Sequence, residues 1–167
     1  MFQSFPPVLH IQLKRFDYDI QQDAMVKLND RFEYPPQIDL AEFLGPDGDK
    51  SSSWVYHLHV VVVHHGSLTE GHYETMIKPD RGSSWFKFDD DRVTPVLEKE
   101  VFEDGYGGIS KPARGRGSDS SSNAYILIYI RESAMDEIFA PIPQTSIPPH
   151  LSECSLLQPM PLFLHSF

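Results

Sequence analysis

The segment WVYHLHVVVVH, residues 54–64, constrains the fold more than any other part of the chain. β-Branched and aromatic side chains fill it almost throughout, which is typical of a strand that is covered on both faces. A strand covered in this way lies inside a sheet rather than at its surface. The segment therefore predicts the centre of a β-sheet.

Other segments predict the neighbours of this strand. Residues 8–16 alternate apolar and polar side chains with the period of a half-buried strand. Residues 72–78 and 85–89 predict two more strands, and the turn-forming segment 79–84 between them favours a hairpin. The strongly apolar run at residues 124–130 is predicted to close the sheet.

Turn and cap residues predict the connections. Residues 17–30 are polar and predict an exposed loop, and residues 32–34 repeat the strand pattern briefly before two prolines end it. Thr94 followed by Pro95 is the pattern of an N-cap and a first helical residue, so a short helix is expected to end before Gly105.

Two stretches carry no apolar period. Residues 107–122 are rich in Gly, Ser and Arg and predict a flexible insertion. From Pro141 onward prolines recur among scattered Leu and Phe residues, which indicates a tail whose role the pattern does not define. The predicted core therefore lies in the rest of the chain.

Composition restricts the class of protein. The chain has 167 residues, of which 40% are hydrophobic and 12% aromatic, enough for one globular core. The formal charge of −10 disfavours a nucleic-acid or anionic-membrane partner and favours a basic one. The single cysteine, Cys154, excludes an internal disulfide framework, and the sequence shows neither a membrane-length apolar run nor a signal peptide. We therefore expect an intracellular protein of the cytoplasm or nucleus.

His72 and Asp89 are the candidate catalytic pair. Adjacent antiparallel strands set paired side chains about 5 Å apart, so the predicted hairpin allows the Asp89 carboxylate to orient the His72 imidazole. A base held by an acid is two thirds of a cysteine-protease triad, and the chain offers no credible cysteine before it. Two plainer interpretations stay open: His72 as a surface residue in a turn, and residues 89–91 as a solvated acidic turn or a loose cation site.

Residues beside this pair suggest two further possibilities. Gly71 has no Cβ, so a substrate backbone could approach the imidazole that follows it. A zinc site at His64, His65 and His72 is the competing idea, with Asp89 as an oxygen ligand. Because His64 and His65 would point to opposite faces of a strand, they could not both enter one site without a bulge, and we predict no metal.

Five sequence boxes occur in order along the chain: FPPVLHIQLKRF (residues 5–16), KLNDRFEYP (27–35), GHY (71–73), WFKFDDD (85–91) and AYILIYIRE (124–132). Together they resemble the ubiquitin-specific protease family, and within it the herpesvirus-associated ubiquitin-specific protease. The resemblance runs from about residue 5 to residue 133 and continues weakly toward residue 153.

This resemblance implies an α+β, papain-like cysteine-peptidase fold. The chain would supply its mostly antiparallel palm and finger base, with one or two short helices and without the helical thumb. Residues 1–133 would form the C-terminal half of the catalytic domain, interrupted by the insertion at 107–122, and residues 134–167 a divergent proline-rich tail.

The resemblance also implies the roles of the catalytic residues. His72 would be the general base and Asp89 its orienting partner. Asp90 resembles the second acidic residue of the family, which helps to arrange water or the oxyanion. No cofactor is implied.

The same resemblance implies which residues would bind the substrate. Gly71 and Tyr73, with His64, would line the slot for the Gly-Gly end of ubiquitin. Residues 17–30 and 65–70 resemble the two mobile loops that lie over that tail. The expected partners are therefore ubiquitin and ubiquitinated proteins.

Three departures from the family pattern matter. The glycine- and asparagine-rich cysteine box has no counterpart in this sequence, and Glu70 stands where relatives usually carry a second glycine. After residue 153 the charged, helix-like continuation is replaced by an apolar, proline-rich end that contains Cys154. A reactive cysteine needs a helix N-terminus or a neighbouring cation to lower its pKa, so Cys154 is not expected to be the nucleophile.

Three hypotheses remain. In the leading one, this is the C-terminal part of a deubiquitinating cysteine protease, and an upstream catalytic segment of the same full-length protein brings the thiol. In the second, the chain is a catalytically inactive remnant that binds ubiquitin. In the third, it is a truncated gene product with exposed apolar surface.

Overall fold

The computed structural model describes residues 1–82, 84–108 and 122–141, together with 143, 146 and 148. Within these ranges the chain forms nine strands, one short α-helix and three single helical turns. The strands are β1 Val8–Gln12, β2 Phe16–Asp19, β3 Ala24–Lys27, β4 Gln37–Asp39, β5 Val55–Gly66, β6 Gly71–Ile77, β7 Trp85–Asp89, β8 Arg92–Val96 and β9 Asn123–Arg131. Helix α1 spans Met135–Ile138, 3₁₀ turns lie at Ala41–Phe43 and Glu132–Ala134, and a π-helical turn lies at Glu100–Asp104.

Strand β5 is the centre of the main sheet, as its sequence predicts. The strand order is β1-β9-β5-β6-β7-β8, every pairing is antiparallel, and β4 pairs with the first residues of β5. Every residue of β5 is buried or half-buried, so both of its faces are covered. The mostly antiparallel architecture with short helical segments confirms the predicted fold class.

Three buried tyrosines connect the sheet to the segments that cover it. Tyr34 donates its hydroxyl proton to the Val101 carbonyl at 2.7 Å, and Tyr129 donates to the Pro35 carbonyl at 2.8 Å. The third, Tyr56, has no exposed surface and donates to a carbonyl of the N-terminal segment. A buried tyrosine adds a large apolar surface to the core while its hydroxyl stays hydrogen-bonded, so these contacts fix the covering segments in place.

Two sequence predictions for the first half of the chain are wrong. Residues 17–30 are not simply a loop: β2 and β3 form a separate two-stranded ribbon, and Asp23 has a φ of 49° at its turn. Each strand of the ribbon has only four residues and lies in a mostly polar segment, so no sustained apolar alternation reveals it. The brief strand expected at residues 32–34 is also not present, and a strand forms instead at β4, after the two prolines.

The helix predicted to start at Thr94 is a strand. Residues Arg92–Val96 form β8, which pairs with β7 across a tight turn, and helical structure begins only at residue 98 and ends at Asp104, before Gly105. Pro95 lies opposite Phe86 on the last strand of the sheet order, where the N–H that proline lacks is not needed for a further ladder. The same residues can therefore serve an edge strand as well as a helix start.

The ends of the predicted insertion meet in the fold. The Ala124 N–H donates to the Gly105 carbonyl at 2.7 Å, so the end of the π-helical turn and the start of β9, which flank the insertion, lie side by side. Residues 109–121 lie outside the described residues, as does nearly all of the predicted tail, including Cys154. The predictions for both stretches, and the division at residue 133, therefore stay predictions.

Candidate active site

The structure brings His72 and Asp89 together. His72 is the second residue of β6 and Asp89 is the last residue of β7. Because Thr75 lies opposite Phe88, the antiparallel register places the start of β6 beside the end of β7. His72 Nε2 is 2.5 Å from Asp89 Oδ1. With Nε2–H donating to the carboxylate, Nδ1 is the ring nitrogen that can accept a proton.

The contact makes His72 a stronger base. The hydrogen bond to Asp89 is the main cause that raises the pKa of His72 above 6.5, and burial acts in the opposite direction. The same hydrogen bond lowers the pKa of Asp89 below 3.8. The two side chains are 47% and 35% exposed, so the pair can be reached from solvent.

Asp90 completes an acidic group around the imidazole. It follows β7 directly, with a φ of 52°, and its charge also raises the pKa of His72. Ligand-type atoms of His72, Asp89 and Asp90 lie within 4.8 Å of one another. Exposed carboxylates are often found this close without an ion, and the hydrogen bond to His72 already engages Asp89, so this proximity alone supports no metal site.

The space beside Gly71 is occupied by the side chain of His64. A Cβ placed on Gly71 would lie 2.0 Å from His64 Nε2. The imidazole of His64 thus occupies the direction in which a Cβ would point, while Gly71 itself is exposed, and the approach of a substrate backbone at this residue stays a prediction. The glycine allows a buried histidine to pack against the start of β6.

His64 and Tyr73 belong to an aromatic group on one side of the sheet. The His64 ring, only 4% exposed by residue, contacts Phe16 at 5.6 Å and Tyr73 at 4.6 Å between ring centroids, and Tyr125 lies beside Tyr73 at 5.9 Å. His65, the next residue, contacts groups on the opposite side of the sheet. The prediction that the two histidines face opposite ways is confirmed.

Sequence reasoning missed two basic residues that support this region. Lys27 of β3 donates to the carbonyls of His64 at 3.3 Å and Gly66 at 2.8 Å, so it connects the β2–β3 ribbon to the end of β5. Arg15 is 4% exposed and donates to the Ala124 carbonyl at 3.0 Å and to the Asp30 carbonyl at 2.7 Å. A buried arginine gives no periodic signal, because alternation marks charged residues as exposed.

A histidine whose second nitrogen is held by a carboxylate is the general-base arrangement of hydrolases that use a side-chain nucleophile. The comparison with known families agrees with this class. The sequence model of the family described as "Ubiquitin carboxyl-terminal hydrolase" matches residues 1–129, and the chain belongs to this family. Among the described residues, no helix has both the length and the apolarity to cross a membrane.

Curated relatives share the sequence over nearly the whole chain. Ubiquitin carboxyl-terminal hydrolase 15 of Schizosaccharomyces pombe is 51% identical over 157 residues, which cover 90% of this chain and 14% of the relative. Ubiquitin C-terminal hydrolase 13 of Arabidopsis thaliana is 45% identical, covering 90% of this chain and 15% of the relative. Ubiquitin carboxyl-terminal hydrolase 7 of Drosophila melanogaster is 40% identical, covering 92% and 13%. The chain thus spans about a seventh of the length of these relatives.

A solved structure shares the fold. One chain of a yeast SAGA DUBm structure superposes with a TM-score of 0.55 and 28% sequence identity. The similarity covers 76% of this chain and 24% of that one. The matched part thus makes up about a quarter of that chain.

Proposed function

We propose that this chain supplies the general-base side of a deubiquitinating cysteine-type active site. The observation that carries the proposal is the 2.5 Å contact between His72 Nε2 and Asp89 Oδ1 at the exposed end of two paired strands. The reaction is hydrolysis of the isopeptide or peptide bond after the C-terminal glycine of ubiquitin. His72 is the general base, Asp89 orients it, and Asp90 acts as the second acidic residue.

The chemistry follows from the free nitrogen of His72. Nδ1 takes the proton of a cysteine thiol, and the resulting thiolate attacks the scissile carbonyl. The imidazolium then gives this proton to the leaving amine, while Asp89 stabilises its charge. The raised pKa of His72 favours the thiolate–imidazolium pair, since a stronger base holds the transferred proton better. Water afterwards releases ubiquitin and restores the thiol.

The aromatic side of the sheet is the proposed binding surface for the ubiquitin tail. Tyr73 is 49% exposed and directly follows His72, so the two side chains face opposite sides of β6, and a ubiquitin tail that passes over the exposed start of this strand would contact both. His64 is buried beneath this surface and Gly71 is exposed at the start of β6, and their close packing fixes the position of Tyr73 and of the strand start. The formal net charge of −10 is compatible with binding the arginine-bearing tail of ubiquitin.

The nucleophile is proposed to come from an upstream catalytic segment of the same full-length protein. Cys154 is the single cysteine of this sequence, and curated relatives are about seven times longer than the matched region. We place the chain in the herpesvirus-associated subgroup on the strength of its sequence boxes. The proposed partners are ubiquitin and ubiquitinated proteins in the cytoplasm or nucleus, without nucleic acid or membrane.

A ubiquitin probe with a cysteine-reactive terminus tests the proposal. The chain and a version extended upstream in its own transcript are exposed to the probe, and labelling is followed over time. We expect only the extended form to be labelled, and H72A to reduce the rate by about 10²–10⁴, the range of a general base. H10A is the matched control, because His10 is an exposed histidine on the distant strand β1. Its labelling should equal that of the unchanged protein.

Other outcomes would reject the proposal in different ways. Labelling of the short chain at Cys154 would contradict the upstream nucleophile. An extended form that is labelled equally well with H72A would remove the base from its role. If neither form reacts but the short chain binds unmodified ubiquitin, the chain is a binding remnant, which is the alternative function.

A further inference from the structure

A second set of charged side chains lies next to the His72–Asp89 pair. Glu74, two residues after His72 on β6, is only 9% exposed. One of its carboxylate oxygens is 2.8 Å from His65 Nε2, and the other is 3.3 Å from Lys87 Nζ. Ser122 Oγ contacts the other ring nitrogen of His65 at 2.5 Å. Glu74 is thus a nearly buried carboxylate held between two cationic or potentially cationic groups.

The sheet register places Lys87 beside both carboxylates. Lys87 and Asp89 are alternate residues of β7, so their side chains share one side of the sheet. Lys87 lies directly opposite Met76, and it reaches Glu74 by extending diagonally toward the end of β7 that carries Asp89. Its charge lowers the pKa of Asp89, which agrees with this proximity.

Asp89 therefore has two cations that compete for it. Its Oδ1 binds His72, and a second charge-assisted bond to Lys87 would weaken the first by neutralising the carboxylate. The bond to Glu74 holds Lys87 away from this second role. Arg92, on β8, also acts on Asp89 through its charge, and Asp90 acts on His72, whereas the ion pairs of Glu74 within the described part of the chain are with His65 and Lys87.

We propose that Glu74 is a positioning residue for the candidate base: by holding the ammonium group of Lys87, it leaves Asp89 free to bind His72. The positioning of Lys87 by Glu74 is inferred from the geometry of the sheet, whereas its importance for hydrolysis rests on the proposed function. Glu74 itself touches neither His72 nor any reacting atom of the proposed reaction. Its charge has a small direct effect that raises the pKa of His72, and beyond this effect it acts through Lys87 and Asp89.

The titration of His72 in the full chain tests this role without any enzymatic readout. The chain contains eight histidines, and 15N labelling of their rings followed by NMR gives the titration midpoint of each. The signal of His72 is assigned by its loss in H72N. In E74Q we expect the midpoint of His72 to move to lower pH and the low-field signal of its bonded Nε2–H to weaken.

The double variant E74Q/K87M separates positioning from a direct charge effect. If Glu74 acts through Lys87, the shift caused by E74Q should fall to less than half when Lys87 is already methionine. In the R92M background the shift should persist, because Arg92 is not held by Glu74. D91N is the matched control for the loss of a carboxylate near the pair, and it should leave the midpoint of His72 in place.

The conservative variant E74D gives an independent measurement should E74Q lose its fold. Aspartate keeps the charge but withdraws it by one methylene, so Lys87 is released and the midpoint of His72 moves in the same direction as in E74Q. Equal shifts in the presence and absence of Lys87, or no shift in either variant, would overturn the proposal. A failed ubiquitin-probe experiment would reject the proposed function and leave this result unchanged.

Discussion

Replacing Gly71 by alanine is a sharp test of how the candidate site is packed. The added Cβ would lie 2.0 Å from His64 Nε2, 2.7 Å from His64 Cε1 and 3.0 Å from the His65 carbonyl oxygen. To restore a distance of 3.0 Å, the His64 ring must withdraw by about 1 Å. Phe16 and Tyr73 flank that ring, and its residue is only 4% exposed, so little free space is available for the movement.

The cost of this movement sets the expected magnitude. An extra methyl group in a well-packed region costs about 1–3 kcal/mol, and a side chain forced about 30° from its rotamer costs about 0.5–1.5 kcal/mol. We therefore expect G71A to lower the free energy of unfolding by about 2 kcal/mol. That is a large part of the total stability of a typical domain, which is about 5–15 kcal/mol.

Urea denaturation followed by tryptophan fluorescence measures the effect, and a double-mutant cycle assigns it. In an H64A background the clashing ring is gone, so G71A should cost no more than about 0.5 kcal/mol. G45A is the matched control, since the nearest atom to its added Cβ is Met1 Cβ at 3.3 Å, in a flexible terminal side chain. An unchanged slope with denaturant would show that only stability has altered.

Two results would refute the reasoning. If G71A is as stable as the unchanged protein, the His64 ring does not occupy the space beside Gly71 in solution. If G71A costs the same with His64 present and absent, the strain arises from the backbone rather than from the ring. In the first case the space beside Gly71 would be open to a substrate backbone.

Two further predictions concern charge. Because the pKa of His72 is raised above 6.5 and that of Asp89 is lowered below 3.8, their bond stabilises the fold most between these values. The contribution of Asp89 is lost as pH falls through its lowered pKa, and that of His72 is lost as pH rises through its raised pKa. The variant D89N should therefore flatten the dependence of unfolding free energy on pH, as measured by urea denaturation across this window. R15K should lower the free energy of unfolding by about 2–3 kcal/mol, since lysine cannot reproduce the separate hydrogen bonds of a buried guanidinium group. The exposed substitution R31K is its control and should change stability by less than about 0.5 kcal/mol.

Several elements of the fold could be predicted because their signals are local. The β-branched run at residues 54–64 and the alternation at the start of the chain correspond to β5 and β1. Turn residues between two strand-like segments predicted the β6–β7 hairpin, and that hairpin carries His72 and Asp89 to one place. The catalytic role of this pair stays a prediction, since geometry alone defines what the residues can do.

Other elements depended on exposure and neighbours that no local pattern contains. Thr94 and Pro95 suit a helix start, yet they lie in β8 because this strand ends the described sheet order and tolerates proline. The strands of the ribbon, β2 and β3, have only four residues each, which is too few for an apolar alternation to identify a strand within a mostly polar segment. In both cases one sequence pattern was compatible with two local structures.

The sequence by itself determined five strands of the main sheet (β1, β5, β6, β7 and β9), the family boxes and the candidate base with its acid. The tertiary structure alone decided that the His64 ring fills the space beside Gly71, that Arg15 is buried, and that Glu74 holds Lys87 near Asp89. The physical reason is that periodicity reports which face of a strand is buried, whereas side-chain partners depend on register between segments distant in the chain. A glycine, an arginine and a glutamate therefore acquired their roles only when the strands were paired.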